Sequence, residues 1–241
     1  MQRKNGKKRM ILLNPSSAST IRVRKYVNKN RYMKNLFLLG VDEAGRGSWA
    51  GPVVAGACAM RAGTKYDFSP LLNDSKKLSP KKRREIFEMM QESISLGFCF
   101  GGVGIIGSEI IDQVGIREAN RLAMQEALAQ VLLQVGESFE FIKIDGRDNY
   151  RFDAIEQEKV KYIVRGDTFI PEIQAASILA KVSRDTLMER LAITYPNYGF
   201  EKHKGYGTRL HEELLNIHNP SDIHRKSYAP IKKLILREES V

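Results

Sequence analysis

The sequence predicts an α/β fold, a mixed sheet with helices packed on it. Three observations carry that expectation. Short apolar runs are bounded by glycine and proline, and longer segments carry apolar residues at helical spacing. The two kinds alternate in the order β-β-α-β-α-β-β-α, with short helices after them.

The first run, Leu36–Val41, is followed by a second over Pro52–Met60, and both suit buried strands. After a polar loop containing Asn73-Asp74-Ser75-Lys76-Lys77, Ser79 and Pro80 form a helix start, an N-cap followed by proline at the first helical position. That helix places Ile86, Phe87, Met90 and Ile94 at helical spacing. Leu96–Ile106 alternates small and apolar residues and predicts a strand. The next helix spans Arg117 to Gln134, with Leu122, Leu128, Val131, Leu132 and Val135 on or near one face and Gly136 as its stop. Phe141–Ile144 and Val160–Val164 are further strands, ending at Asp145-Gly146 and Arg165-Gly166-Asp167. A helix rich in Ala, Ile and Leu spans 172–193, and two shorter ones follow near 208–217 and 230–238.

The chain has 241 residues, 42% hydrophobic and 28% charged, the composition of a globular protein with a core able to stand without staples. Two cysteines in apolar settings, Cys58 and Cys99, give no disulfide framework and point to a reducing compartment, the cytoplasm. The longest uncharged stretch, Ser93 to Ser108, is 16 residues broken by five glycines, too short for a membrane span. Net charge is +11, from 39 basic and 28 acidic residues. Eleven of the basic residues lie in the first 41 positions, where there is no Asp or Glu, so residues 42–241 balance at 28 against 28. Residues 1–35 therefore read as a disordered basic arm and 36–241 as one domain. Contact with phosphates, an organelle presequence, a true start at Met33 and a plain solvated tail all remain open for the arm.

The informative residues are acidic. Asp42-Glu43, Asp145 and Asp167 each close a strand, and sites in sheet-based α/β folds gather at strand ends. Neighbours along a strand face opposite ways, so Asp42 and Glu43 share a site only where the strand stops; Gly45 and Gly47 supply that break. Clustered carboxylates repel one another, and Mg²⁺ or Mn²⁺, with its preference for oxygen ligands, relieves the repulsion. The same positions also suit turn and cap acids. A two-metal site would serve in-line phosphodiester displacement without an amino-acid nucleophile. No zinc-type Cys/His spacing exists, and His203, His211, His218 and His224 read as surface residues. Lys181 and Arg184 suit the solvated outer face of their helix, and Ala175-Ala176-Ser177 suits close packing on the sheet.

Gly40-Val41-Asp42-Glu43-Ala44-Gly45-Arg46-Gly47 resembles the opening motif of ribonuclease HII, the bacterial type 2 ribonuclease H. Asn73-Asp74-Ser75-Lys76-Lys77-Leu78, Ile144-Asp145-Gly146, Arg165-Gly166-Asp167 with the block Pro171–Asp185, His203–Thr208 and His224–Tyr228 resemble its further motifs in the family's order. The resemblance implies a ribonuclease H-like fold, a mixed five-stranded sheet flanked by helices with a C-terminal helical part. It implies an endoribonuclease that cuts RNA in RNA–DNA hybrids and at ribonucleotides embedded in duplex DNA, acting as a monomer and leaving 3′-hydroxyl and 5′-phosphate ends. By position, Asp42, Glu43 and Asp145 match the metal-binding acids and Asp167 the fourth catalytic acid. Gly45, Arg46 and Gly47 match the loop that reads the ribonucleotide 2′-hydroxyl, Tyr206 the tyrosine at the junction, and Lys76 a phosphate-contacting lysine. Departures are Arg147 and Arg165 where the family often has Asn and Lys, and a long gap of 22 residues from Asp145 to Asp167. The rivals are a ribonuclease HIII-like nuclease, opposed by Arg46 and the short arm, and a non-catalytic hybrid-binding protein, opposed by the four acids.

Overall fold

Residues 36–238 are described by the computed structural model, and the basic arm read over 1–35 lies outside them. Strands β1 (Phe37–Ala44), β2 (Val53–Arg61) and β3 (Cys99–Ile106) form an antiparallel meander. β4 (Phe139–Asp145) adds in parallel to β1 and β5 (Val160–Ile163) in parallel to β4, giving the order β3-β2-β1-β4-β5. The carboxyl ends of the three parallel strands therefore meet at one rim, where sites of such sheets form.

Seven helices complete the described residues: α1 (Pro80–Ser95), α2 (Ser108–Val114), α3 (Ile116–Val135), α4 (Pro171–Thr194), α5 (Phe200–His203), α6 (Arg209–His218) and α7 (Ala229–Glu238). α3 covers one face of the sheet, packing Ala123, Leu128 and Val131 with Leu39, Val41, Ala55 and Ile142. α1 and α4 cover the other, with Ile86, Met90, Ile178 and Leu179 against Cys58 and Met60. Small residues set how closely the layers approach. A Cβ at Gly104 of β3 would sit 2.0 Å from the Ala123 carbonyl oxygen of α3, and one at Gly56 of β2 would sit 2.3 Å from the Ala176 carbonyl oxygen of α4. Truncating a fully buried anchor such as Leu128 or Ile142 to alanine would cost about 2–5 kcal/mol. A third apolar cluster, including Met188, Tyr198, Phe200, Leu215 and Ile231, joins the end of α4 to the C-terminal helices.

The expected elements are present with shifted ends. β3 starts at Cys99, not Leu96, because Gly97 takes a left-handed turn (φ 72°). β1 runs on through Ala44, three residues beyond the expected end. Two short helices, α2 and α5, went unread, being seven and four residues long and below the length at which periodicity speaks. Among the described residues no helix is long and apolar enough to cross a membrane.

Candidate active site

The parallel pairing that sets Val41 beside Ile144 carries on to bring Asp42 of β1 next to Asp145 at the end of β4. Asp167 follows β5 in a single 3₁₀ turn, Gly166–Thr168, and its backbone N–H donates to Asp145 Oδ1 at 3.4 Å. One carboxylate oxygen from each of Asp42, Asp145 and Asp167 lies within 4.8 Å of the others. Burial, with the neighbouring charges of Glu43 and Asp145, pushes the Asp42 carboxyl well above the usual carboxylate range. Burial and Asp167 raise Asp145, against the pull of backbone N–H groups from Asp167 and Gly166. Such raised values mark a cluster short of positive charge. Hard oxygen donors at this spacing, with no sulfur or imidazole among them, fit Mg²⁺ or Mn²⁺.

Glu43 does not join that trio. β1 continues through it, with Asp42 opposite Gly56 and Glu43 opposite Ala55, so the strand break expected after Glu43 comes too late. Asp42 turns to the α4 face, where it hydrogen-bonds Ser177, whose Oγ is 2.9 Å from Ser75 Oγ. Glu43 turns to the α3 face and bonds Asn120. Burial raises its carboxyl, partly offset by Arg46, whose guanidinium is 3.8 Å away. Arg46 is itself ion-paired to Asp148. Asp148 accepts from the Tyr150 hydroxyl at 3.0 Å, and Tyr150 accepts from Asn120 at 3.2 Å. The long gap before Asp167 thus holds residues that tie Arg46 in place.

The Gly45-Arg46-Gly47 loop is gripped from beneath. Arg225 donates to the carbonyls of Gly45 (2.8 Å), Arg46 (2.9 Å) and Gly51 (3.0 Å), and the Tyr228 hydroxyl donates to Arg46 O at 2.6 Å. In a trans peptide the C=O and the following N–H point opposite ways. Carbonyls of Gly45 and Arg46 held inward therefore turn the amides of Arg46 and Gly47 outward. Gly45 sits at φ 89° with Arg184 beneath it, where a Cβ would lie 1.8 Å from Arg184 Nε, so only glycine fits. The Tyr206 loop is stitched to this one: the amides of Trp49 and Ala50 donate to Gly205 O at 2.8 and 3.3 Å.

Arg184 is fully buried and does not solvate the outer face of α4. Lys181 is only partly covered, ion-paired to Asp185 and 5.5 Å from the centre of the Tyr206 ring. Lys76 Nζ donates to Asp167 Oδ2 at 3.1 Å from an exposed loop, close enough to serve the acids or a phosphate. The histidines also differ from expectation. His203, His211 and His224 are buried and His218 alone is exposed. A neutral imidazole is buried at little cost when both nitrogens are bonded, and one set of tautomers does this. His203 Nε2 donates to Tyr198 O (2.7 Å) while Nδ1 accepts from the Gly205 amide (3.2 Å). His224 Nδ1 accepts from the Ser221 amide (2.9 Å), so Nε2–H donates to His211 Nε2 (3.1 Å), whose Nδ1–H donates to Tyr206 O (3.0 Å).

Sequence reasoning did not reach Asn120, Asp148, Ser177, Arg184 and Arg225 as parts of this site. For Asp148, Ser177, Arg184 and Arg225 the only advance signal was their position inside or beside the motif blocks; Asn120, within the helix read over Arg117 to Gln134, carried none.

Comparison with known proteins gives one consistent result. Residues 39–231 match the sequence profile of the Ribonuclease HII family. A Ribonuclease HII of Chlamydia pneumoniae is 45% identical over 195 residues, covering 81% of this chain and 84% of the relative. Among solved structures, ribonuclease H2 from Pyrococcus horikoshii OT3 superposes with a TM-score of 0.65 at 22% identity, covering 86% of this chain and 100% of that one. Bst-RNase HIII in complex with Mn²⁺ superposes with a TM-score of 0.64 at 18% identity, covering 87% and 72%. At those identities the last two speak to the fold, which is ribonuclease H-like.

Proposed function

The chain belongs to the ribonuclease HII family and is an endoribonuclease, and on that premise we propose that it cuts RNA in RNA–DNA hybrids and at single ribonucleotides embedded in duplex DNA, leaving 3′-hydroxyl and 5′-phosphate ends. The observation that carries this reading is the three-acid cluster at the carboxyl rim of β1, β4 and β5, beside a loop whose amides face outward.

Asp42, Asp145 and Asp167 are the residues that would hold Mg²⁺ or Mn²⁺, with Glu43 approaching from the α3 face as the fourth carboxylate. Bound there, one or two such ions would supply Lewis-acid stabilisation of phosphate charge and a more acidic water. Ser177 holds Asp42 and is itself engaged by Ser75, so it is an orienting group and no nucleophile. The outward amides of Arg46 and Gly47 offer donors to a sugar 2′-hydroxyl, the one group that marks RNA within DNA. Glycine at 47, where an added Cβ would enter open space, lets the sugar come close, while glycine at 45 makes room for Arg184; Tyr206 packs at the junction, and Lys76 meets a phosphate from the rim. The roles proposed for the amides and Lys76 engage sugar and phosphate and no base edge, so cleavage indifferent to base sequence is expected.

The test is single-turnover cleavage of a duplex DNA carrying one ribonucleotide, with Mg²⁺, Mn²⁺ or EDTA, and identification of the product ends. Cleavage at the ribonucleotide that leaves 3′-hydroxyl and 5′-phosphate ends and is abolished by EDTA is expected. Cleavage undiminished in EDTA, or a 2′,3′-cyclic phosphate product, would overturn the reading.

A further inference from the structure

Two arginines beneath the site, Arg184 and Arg225, are fully buried, and neither guanidinium is hydrogen-bonded to a carboxylate among the described residues. An unpaired buried cation is costly. Burial lowers Arg184 to about 10, the direction expected of a charge that has lost its water. One of its nitrogens, Nη1, has no hydrogen-bond partner at all. A residue kept at such cost needs a reason, and its contacts supply one.

Arg184 Nε donates to Pro52 O at 2.9 Å and Nη2 to Ala50 O at 3.3 Å, so it grips the far limb of the loop that begins at Gly45. The same guanidinium lies 5.1 Å from the centre of the Tyr206 ring, within cation–π range. It alone among the described side chains combines hydrogen bonds to this limb with contact to the Tyr206 ring; Arg225 grips the loop but stacks on Tyr228. α4 adds a second relation. Ser177, which holds Asp42, precedes Arg184 by seven residues, two helical turns on one face and a rise of about 10 Å. One rigid helix thus spaces the cutting acids from the loop and ring.

We infer that Arg184 is a positioning residue that joins the Gly45–Pro52 loop and Tyr206 into one reader and, through α4, sets its distance from the acids. The inference rests on the reading of that loop and Tyr206 as the elements that recognise the ribonucleotide junction. Arg184→Lys keeps the charge but lacks the planar fork, so it cannot hold both carbonyls and the ring together. Trp49 is the chain's only tryptophan and lies within the loop, packed at Gly207, so its fluorescence reports the loop directly.

The experiment compares wild type, Arg184→Lys, Tyr206→Ala and the double variant. In Arg184→Lys, acrylamide quenching of Trp49 should rise about twofold while the cooperative melt is retained. Its kcat on a single embedded ribonucleotide should fall about tenfold or more with KM nearly unchanged, as expected of misplacement and not of lost binding. The double variant should lose no more than the larger single loss, since both changes disable one unit. Unchanged quenching, losses that multiply, or loss of the cooperative melt in Arg184→Lys would each overturn the positioning role. Wild type unable to cut the embedded ribonucleotide would instead sink the functional reading, while the quenching result would still judge the loop contact.

Discussion

Acid should destabilise this protein through its buried histidines, by an amount the structure allows one to work out. His211 and His224 are pushed down from 6.5 to about 4, chiefly by burial, and the nearest titrating neighbour is His203, itself lowered. Among the described residues no carboxylate is hydrogen-bonded to His211 or His224; they face the rings of Phe200, Tyr198 and Trp49, the Tyr206 carbonyl, Ser221 and one another. Their folded pKa lies below the unfolded one, so the unfolded chain takes up the proton first. The stability they contribute is complete above about pH 6.5 and is lost as pH falls towards 4. Between pH 7 and pH 5 the loss is about 2 kcal/mol for one such histidine. The two share a hydrogen bond and titrate as a pair, which brackets their joint loss at about 2–4 kcal/mol. The raised carboxyls of Asp42, Glu43 and Asp145 act in the opposite sense, since the folded state binds their protons more readily as pH falls. A difference measurement removes that contribution. Urea unfolding in EDTA at pH 7 and pH 5 should show that His224→Gln loses about 2 kcal/mol less than wild type over this interval. Equal losses in the two proteins would refute the neutral histidine chain.

Three further outcomes are expected. Asp42→Asn and Asp145→Asn should each reduce cleavage to background on a gel while raising the melting temperature of the metal-free protein, because each relieves repulsion among buried acids; near-normal turnover would remove the residue from the site. Lys76→Met should change stability by less than about 1 kcal/mol, because the lysine side chain of its ion pair is exposed, yet raise KM for the nucleic acid in steady-state assays; an unchanged KM would limit Lys76 to Asp167. Deleting residues 1–32 should flatten the salt dependence of substrate binding and leave the single-turnover rate intact if the basic arm meets phosphates; an unchanged slope in a filter-binding titration would leave it a tail.

What sequence alone determined here is whatever depends on local pattern. Apolar periodicity placed the five strands and the five longer helices to within a few residues, because each has one face to bury, and missed the short α2 and α5. Glycine after the strand-closing acids marked the rim, and the motif order identified the family. The trio of carboxylates depends on the parallel pairing of β1 with β4 and β4 with β5, which no single segment encodes. Which way Glu43 turns followed from β1 running three residues further than its apolar run, since one more strand residue reverses the side chain. Arg184 and Arg225 could not be read as buried, because their partners lie far along the chain, and the histidines could not because their nearby partners are backbone groups and one another, which no side-chain pattern announces. Arg184 bonds a carbonyl 132 residues away and Arg225 one 180 residues away. A polar side chain is buried only where such partners repay its lost water, and that is decided when the tertiary structure closes.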